Sequence, residues 1–394
     1  MVNDGNQQWF DSTESIIHTI QTTDGGYIGL GKTIFKLDAN RTLQWSVSID
    51  SFEVTSVGQI SDGGYIVVGP KNNDTYTNID YKIIKFNSIG NQQWEKILGV
   101  TSDDEAYDVV QTSDGNFVIA GVSKSNDGDV SRHHGSNNNY DYWIVKLNNS
   151  GSLLWEKSLG GSSGDFATSI SATSDGGVVV VGSSGSTDDD VTSHHVNGDY
   201  WIVKLDNNGS LKWQKCFGGS LTDFAYCINQ TSDGGFIIAD STESSDGDII
   251  GFHCCYTDGW IVKINSAGDM LWNMCYGGSG MDYFYSAQET SDGGFIASGT
   301  ASSDDGDVSC QNEHWAWFIK LNPIATSNVE EVIEDNLSIF PNPFSNKFTI
   351  EPNYPYRLYD LFGGKIDKYS LSDLPVGTYF LRTENGIIRK VVKI

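Results

Sequence analysis

Four stretches of this chain repeat one pattern, Ser-x-Asp-x-Asp followed by an aliphatic residue, and carboxylates at this spacing can hold a hard cation. They contain Asp127 and Asp129, Asp188 and Asp190, Asp246 and Asp248, and Asp305 and Asp307. Alternate aspartates in a loop with glycine suit the oxygen coordination of Ca²⁺, the one cofactor the sequence suggests. Asp-Gly also makes plain turns, and the spacing lacks a full EF-hand loop, so both readings stand. His133, His134, His194, His195, His253 and His314 follow these stretches and account for six of the seven histidines. No Cys/His spacing repeats among them as a zinc site requires, so they are read as an interaction face. Catalytic signatures are few: there is no His-Glu-x-x-His and no Cys-x-x-Cys. Two carboxylates could flank a glycosidic bond, but nothing selects a pair from 51 acidic residues.

The elements that position these stretches repeat as well. Three anchors recur six times in fixed order: a tryptophan (Trp9, Trp45, Trp94, Trp155, Trp213, Trp272), a tight turn, and an apolar run holding a lysine (Lys36, Lys85, Lys146, Lys204, Lys263, Lys320). The turn is Asp-Gly-Gly at Asp24, Asp62, Asp175, Asp233 and Asp292, and Asp-Gly-Asn at Asp114. Asp-Gly supplies the positive φ a hairpin needs, so these aspartates read as turn formers. Repeated tryptophans and lysines read as packing and blade-edge residues. Each unit divides into four short strands, best seen over 155–206, and four-stranded units repeated radially form a β-propeller. The predicted fold is all-β: a six-bladed propeller over 1–322, a linker over 323–336, and a small Ig-like β-sandwich over 337–394. The last repeat stops at Trp317–Asn322 while the chain begins with a strand around Trp9, so the N-terminal strand is expected to complete the last blade and hide both sheet edges. The four Asp-containing inserts join the same two strands of their units, so propeller symmetry gathers them on one face.

The repeat wording, Asp-Tyr-Trp-Ile-Val-Lys-Leu with Gly-Gly and Thr-Ser-Asp-Gly-Gly, resembles that of secreted propeller proteins of Bacteroidota. The turn Asp206–Gly209 before Trp213 is similar to the tryptophan-docking hairpin of quinoprotein-like propellers, with no quinone cofactor inferred. The tail carries Pro341-Asn342-Pro343, then Gly363-Gly364-Lys365, then Leu374-Pro375-Val376-Gly377-Thr378-Tyr379, and finally Lys390-Val391-Val392-Lys393. In order and spacing these four blocks resemble the type A C-terminal sorting domain of the type IX secretion system. That resemblance implies passage through the periplasm, the type IX machinery as a partner, and a secreted or outer-membrane cell-surface destination. Such cargo begins with a Sec signal, yet Met1–Gly5 has neither a basic start nor an apolar run, so the sequence reads as a mature or truncated form.

Charge narrows the partners. Residues 1–334 carry 16 basic and 45 acidic side chains, and residues 335–394 carry 8 and 6. A body at −29 excludes nucleic-acid phosphate as a partner, and no stretch reaches the roughly 20 apolar residues of a membrane helix. The six cysteines all fall between Cys216 and Cys310; Cys216 and Cys227 are expected on adjacent antiparallel strands and form the best local disulfide candidate, with reduced buried thiols as the alternative. Symmetric repeats with variable loops favour a non-enzymatic binding or adhesion scaffold for a surface glycan or protein. The rival reading is an extracellular polysaccharide hydrolase or lyase with its site on the insert face.

Overall fold

The computed structural model describes residues 18–31, 33–49, 53–72, 79–99, 101–135, 139–195, 197–308 and 315–322 of the repeat region. In the tail it describes 338–340, 345, 347, 349–351, 356–359, 365–366, 371, 374, 377–383 and 388–393. Among these residues there is no α-helix, and no helix is long and apolar enough to cross a membrane.

The repeat region is a six-bladed β-propeller. Five antiparallel sheets have four strands in sequential order, and the sixth shows three among the described residues: Asp282–Glu289, Phe295–Ala301 and Trp315–Leu321. The strand expected around Trp9 lies outside the described residues. Blade 4 is representative, with strands Asp165–Ala172, Val178–Ser184, Asp199–Leu205 and Leu211–Phe217. The tryptophan strand thus closes the blade before it rather than opening its own. This phase corrects the cysteine expectation: Cys216 lies on the last strand of blade 4 and Cys227 on the first strand of blade 5, in separate sheets. Both thiols are free, and burial pushes each up to about 12.

Second and third strands carry the core because they are covered on both faces by neighbouring blades. The run Asp199–Leu205 is buried at every position, as is Val178–Ser184. Successive third strands are linked across blades: the Tyr81, Tyr142 and Tyr200 hydroxyls donate to the carbonyls of Trp143, Trp201 and Trp260 at 2.8, 2.9 and 3.2 Å. On the outside, the Trp45, Trp94 and Trp155 indoles donate to Ser88, Asn149 and Asn207 carbonyls of the next blade's turn.

The Asp-Gly-Gly turn and the lysine form one device. Buried Lys36, Lys85, Lys146, Lys204 and Lys263 reach the turn aspartates Asp24, Asp62, Asp114, Asp175 and Asp233 at 2.7 to 2.9 Å. Gly176 takes a φ of +86°, which favours glycine, and a Cβ on Gly177 would sit 2.2 Å from the Leu205 carbonyl oxygen and 2.6 Å from Lys204 Nζ. The lysines are therefore interior partners of the turn, not blade-edge residues.

Two compact units divide the chain: 1–290 with 295–320, and 291–294 with 321–394. In the second, a sheet runs in the order Lys365–Ile366, Tyr356–Tyr359, Gly377–Thr383, Ile388–Lys393, and Ser338–Phe340 pairs with Thr349–Glu351. Its core is Leu358, Leu374, Tyr379, Leu381 and Val391. Buried Lys393 donates from Nζ to the Leu371 carbonyl at 2.8 Å. Of the sorting-motif residues, Lys365, Gly377 and Lys390 lie on strands, and Pro341, Asn342, Pro343, Gly363 and Pro375 lie outside the described residues.

Candidate functional site at the channel mouth

The inserts of blades 3 to 6 connect second and third strands, on the same side as the loops that enter each first strand. Asp188 in the blade 4 insert accepts the Ser162 backbone N–H of that entry loop at 2.7 Å; Asp246 and Asp305 treat Ser220 and Ser279 alike, and Asp127 accepts from the Thr101 hydroxyl at 3.0 Å. The second member of each pair turns elsewhere. Asp190 Oδ2 lies 3.3 Å from His134 Nε2 of the preceding blade, Asp307 Oδ2 lies 3.4 Å from His253 Nε2, Asp248 Oδ2 accepts from Gly218 N–H at 3.2 Å, and Asp129 is half-buried. The carboxylates within a pair serve different partners. Among the described residues no group of three or more His, Cys, Asp or Glu side chains is placed to hold a metal ion.

Four of the five described insert histidines turn a ring nitrogen to the aspartate that opens their blade's third strand. His134, His195 and His253 each present backbone N–H and ring Nδ1 to one oxygen of the aspartate opening the third strand, Asp141, Asp199 and Asp258, with every ring contact at 2.9 Å. The His133 ring also reaches Asp141, at 3.3 Å, and His194 places its two ring nitrogens against the His195 and Ser184 carbonyls. His314 lies outside the described residues. A second aspartate, opening each first strand, clamps the entry loop: Asp223 accepts from Gly219 N–H at 2.8 Å and from Ser244, and Asp165 does the same with Gly161 and Ser186. Burial outweighs these hydrogen bonds and pushes Asp165 and Asp223 up to about 6. The two kinds of aspartate converge over a glycine: a Cβ on Gly218 would lie 2.5 Å from both Asp199 Oδ1 and Asp223 Oδ2. That convergence is the reason for the first glycine of the Gly-Gly that follows each tryptophan strand in blades 3 to 5; a Cβ on the second, Gly219, would instead lie 2.6 Å from Asp246 Oδ1 and from Ser244 Cβ.

What sequence reading did not locate is the lining of the central channel. First strands of adjacent blades touch one another and ring the axis. Four of them carry a β-bulge at the same place, and the extra residue is Tyr107, Thr168, Tyr226 or Tyr285. Bulges re-aim side chains and recur beside binding sites. Thr168, and Thr55 in blade 2, turn their hydroxyls to the next blade's carbonyl (Ala225 and Ala106), whereas Tyr226 and Tyr285 stay about half exposed with ring centroids 5.6 Å apart. Two residues before each bulge, toward the inserts, stand Glu105, Phe166, Phe224 and Tyr283.

Glu105 is held by two phenols, Tyr107 and Tyr140, each donating at 2.8 Å, and the Tyr140 ring meets Phe166 at 5.3 Å. Burial, followed by the charge of Glu105, raises the Tyr107 phenol well above its ordinary value, and Glu53 and Tyr226 act on it too. Lys124 Nζ sits 4.0 Å from the Tyr140 ring centroid and 3.4 Å from Asp103. Deeper, Asp108 accepts from Ser56 Oγ at 2.7 Å and Ser169 Oγ at 2.9 Å, tying three blades. The mouth therefore has an acidic side on blades 2 and 3 and an aromatic side on blades 4 to 6. One signal was legible in sequence: the residue after the strand-opening aspartate changes from Glu105 to Phe166, Phe224 and Tyr283 while its neighbours repeat.

No protein-family model matches the chain, and no curated protein matches it in sequence. Solved structures similar to it are propellers. A structure of the Dos1 propeller aligns at 10% identity and a TM-score of 0.45 over 72% of this chain and 65% of its own. The Pan2 WD40 domain of Neurospora crassa aligns at 11% and 0.41 over 72% and 71%, and a putative gluconolactonase at 11% and 0.40 over 79% and 90%. Likeness at this level says nothing of activity.

Proposed function

We propose that this chain is an exported binding propeller, carried through the type IX secretion system by its C-terminal domain and displayed at the cell surface or released, with the channel mouth on the insert face as its ligand surface. The observation that carries the binding half is the break in the repeat: packing, turn and docking residues recur from blade to blade, while the channel positions vary, with Glu105 against Phe166, Phe224 and Tyr283 before the bulge and Thr168 against Tyr107, Tyr226 and Tyr285 on it. A scaffold needs only the repeated residues, so unlike side chains on a shared axis mark recognition. The four tail blocks, with Leu374 and Tyr379 in the core of their unit, support the export half and the reading of that unit as an Ig-like sorting domain. The test of export is deletion of 337–394 from the precursor in a type IX-competent host, which should trap the propeller inside the cell; undiminished surface display refutes it. A glycan panel scored for both retention and product formation separates binding from the rival hydrolase or lyase reading.

A further inference from the structure

The acidic and aromatic halves of the mouth are complementary to one ligand chemistry. An aromatic face attracts a cation through its ring quadrupole, and a carboxylate beside it adds direct charge attraction. On the acidic side stand Glu105, anchored by Tyr107 and Tyr140, and Asp108; on the aromatic side stand Phe224, Tyr226 and Tyr285, each 46% to 52% exposed. The protein supplies its own example at the rim, where the Lys124 ammonium lies against the Tyr140 ring and the Asp103 carboxylate. The formal charge of the whole chain, −27, disfavours an anionic ligand at the same place.

We infer that the channel mouth binds an organic ammonium group, with Tyr226, Tyr285 and Phe224 as its aromatic wall and Glu105 as its counter-ion. This rests on the channel mouth being the binding surface and adds the class of ligand. The group can come from a free amine, an amino sugar or a lysine side chain, since all three present the same charged nitrogen.

The experiment is calorimetric titration of the full chain with choline, with the uncharged carbon isostere of choline, and with spermidine, a chitosan oligomer and a lysine-rich peptide as arms that identify the source. Tyr226→Thr is the variant of choice because blades 2 and 4 carry threonine at that position, Thr55 and Thr168, so the fold accommodates it. Choline should bind and its isostere should not. Tyr226→Thr and Glu105→Gln should each weaken binding about tenfold, and added salt should weaken it further. Equal binding of the isostere, no binding of any cation, or affinity unchanged in both variants overturns the inference. If the cations fail but a neutral glycan is retained and then lost in Tyr226→Thr, only the ligand class falls. If Tyr226→Thr changes no retention at all, the channel mouth falls with it.

Discussion

Asp240 stands where other blades have glycine, and removing its carboxyl should make the protein more stable in alkali. The equivalent residues are Gly31, Gly69, Gly121, Gly182 and Gly299. At four of these a Cβ would lie 1.7 to 2.0 Å from the carbonyl oxygen of Glu53, Glu105, Phe166 or Tyr283, on or just before the first strand, so the backbone of blade 5 must stand off to admit a side chain. Asp240 is 7% exposed, its Oδ1 finds no hydrogen-bond partner among the described residues, and burial pushes its pKa up to about 8 against a weaker lowering by Ser241. An unfolded aspartate titrates near ~3.9, so the folded chain holds a proton that the unfolded chain releases above that pH. The contribution of Asp240 is thus fully present below about pH 4 and is lost as pH rises through 8. Four units correspond to roughly 5 kcal/mol at pH 9, an order-of-magnitude figure. Urea unfolding of wild type and Asp240→Asn, followed by tryptophan fluorescence, should give stabilities within about 1 kcal/mol of each other at pH 4 and a variant ahead by several kcal/mol at pH 9. Asp165 and Asp223, also raised, titrate in both proteins and cancel in the difference. Parallel pH profiles for the two proteins would refute the reasoning.

Gly218→Ala should cost more than about 3 kcal/mol, because its Cβ meets two buried carboxylates, whereas Gly234→Ala, with open space but a φ of +81°, should cost only about 1 kcal/mol; thermal melts that rank them the other way count against the clamp. Asp175 is drawn down to about 2, where burial raises it but bonds from Lys204, Thr173 and Gly177 prevail, so its stabilisation is present above about pH 4 and is lost as pH falls through 2. The carboxylate is two-thirds exposed and solvent screens the pair, so Asp175→Asn should lose no more than about 1 kcal/mol at pH 7 and nothing at pH 1, read by acid titration of both proteins. A chelator should leave the melting temperature unchanged, since the paired insert aspartates serve separate partners; a fall that added Ca²⁺ reverses, and that Asp127→Asn with Asp129→Asn abolishes, would instead support the calcium reading.

The propeller was legible because its signals are local and repeated. Trp155, Asp175 and Lys204 each mark a strand or turn without reference to anything distant, and six copies remove the ambiguity of a single short apolar run. Blade phase was not legible, because a strand's partner depends on which neighbour it pairs with, and so Cys216 and Cys227 looked adjacent when they belong to different sheets. Roles of polar residues were also hidden. His134 and Asp141 are seven apart in sequence, but Asp190, which His134 also meets, comes from the next blade. The channel lining was missed for a related reason: the bulge that turns Tyr226 and Tyr285 into the channel leaves no mark in sequence beyond one residue that fails to alternate.

Repetition and function are kept apart in this fold by where the strong contacts fall. Lysine-to-turn ion pairs, tyrosine-to-carbonyl bonds and tryptophan docking all lie on second, third and fourth strands or their turns, away from the axis. First strands keep only the residues that meet neighbouring blades, such as Asp165, Ala167 and their counterparts Asp223 and Ala225, and the positions between them face the channel. Those intervening positions can change with little effect on blade packing, which is why a carboxylate at 105 and a phenyl at 166 occupy equivalent sites on adjacent blades. Asp240 does not fit that account. It sits on a second strand, where the other blades tolerate only glycine, and its burial costs stability at neutral pH, so the carboxyl is held by something other than packing. It pairs directly across from Ala225, one residue from the half-exposed Tyr226 ring. A residue that destabilises its own blade beside the aromatic wall is the variant to pair with Tyr226→Thr: if Asp240→Gly raises stability and also weakens ligand binding, the acid is part of the recognition site, and if binding is untouched, the site ends at the first strands.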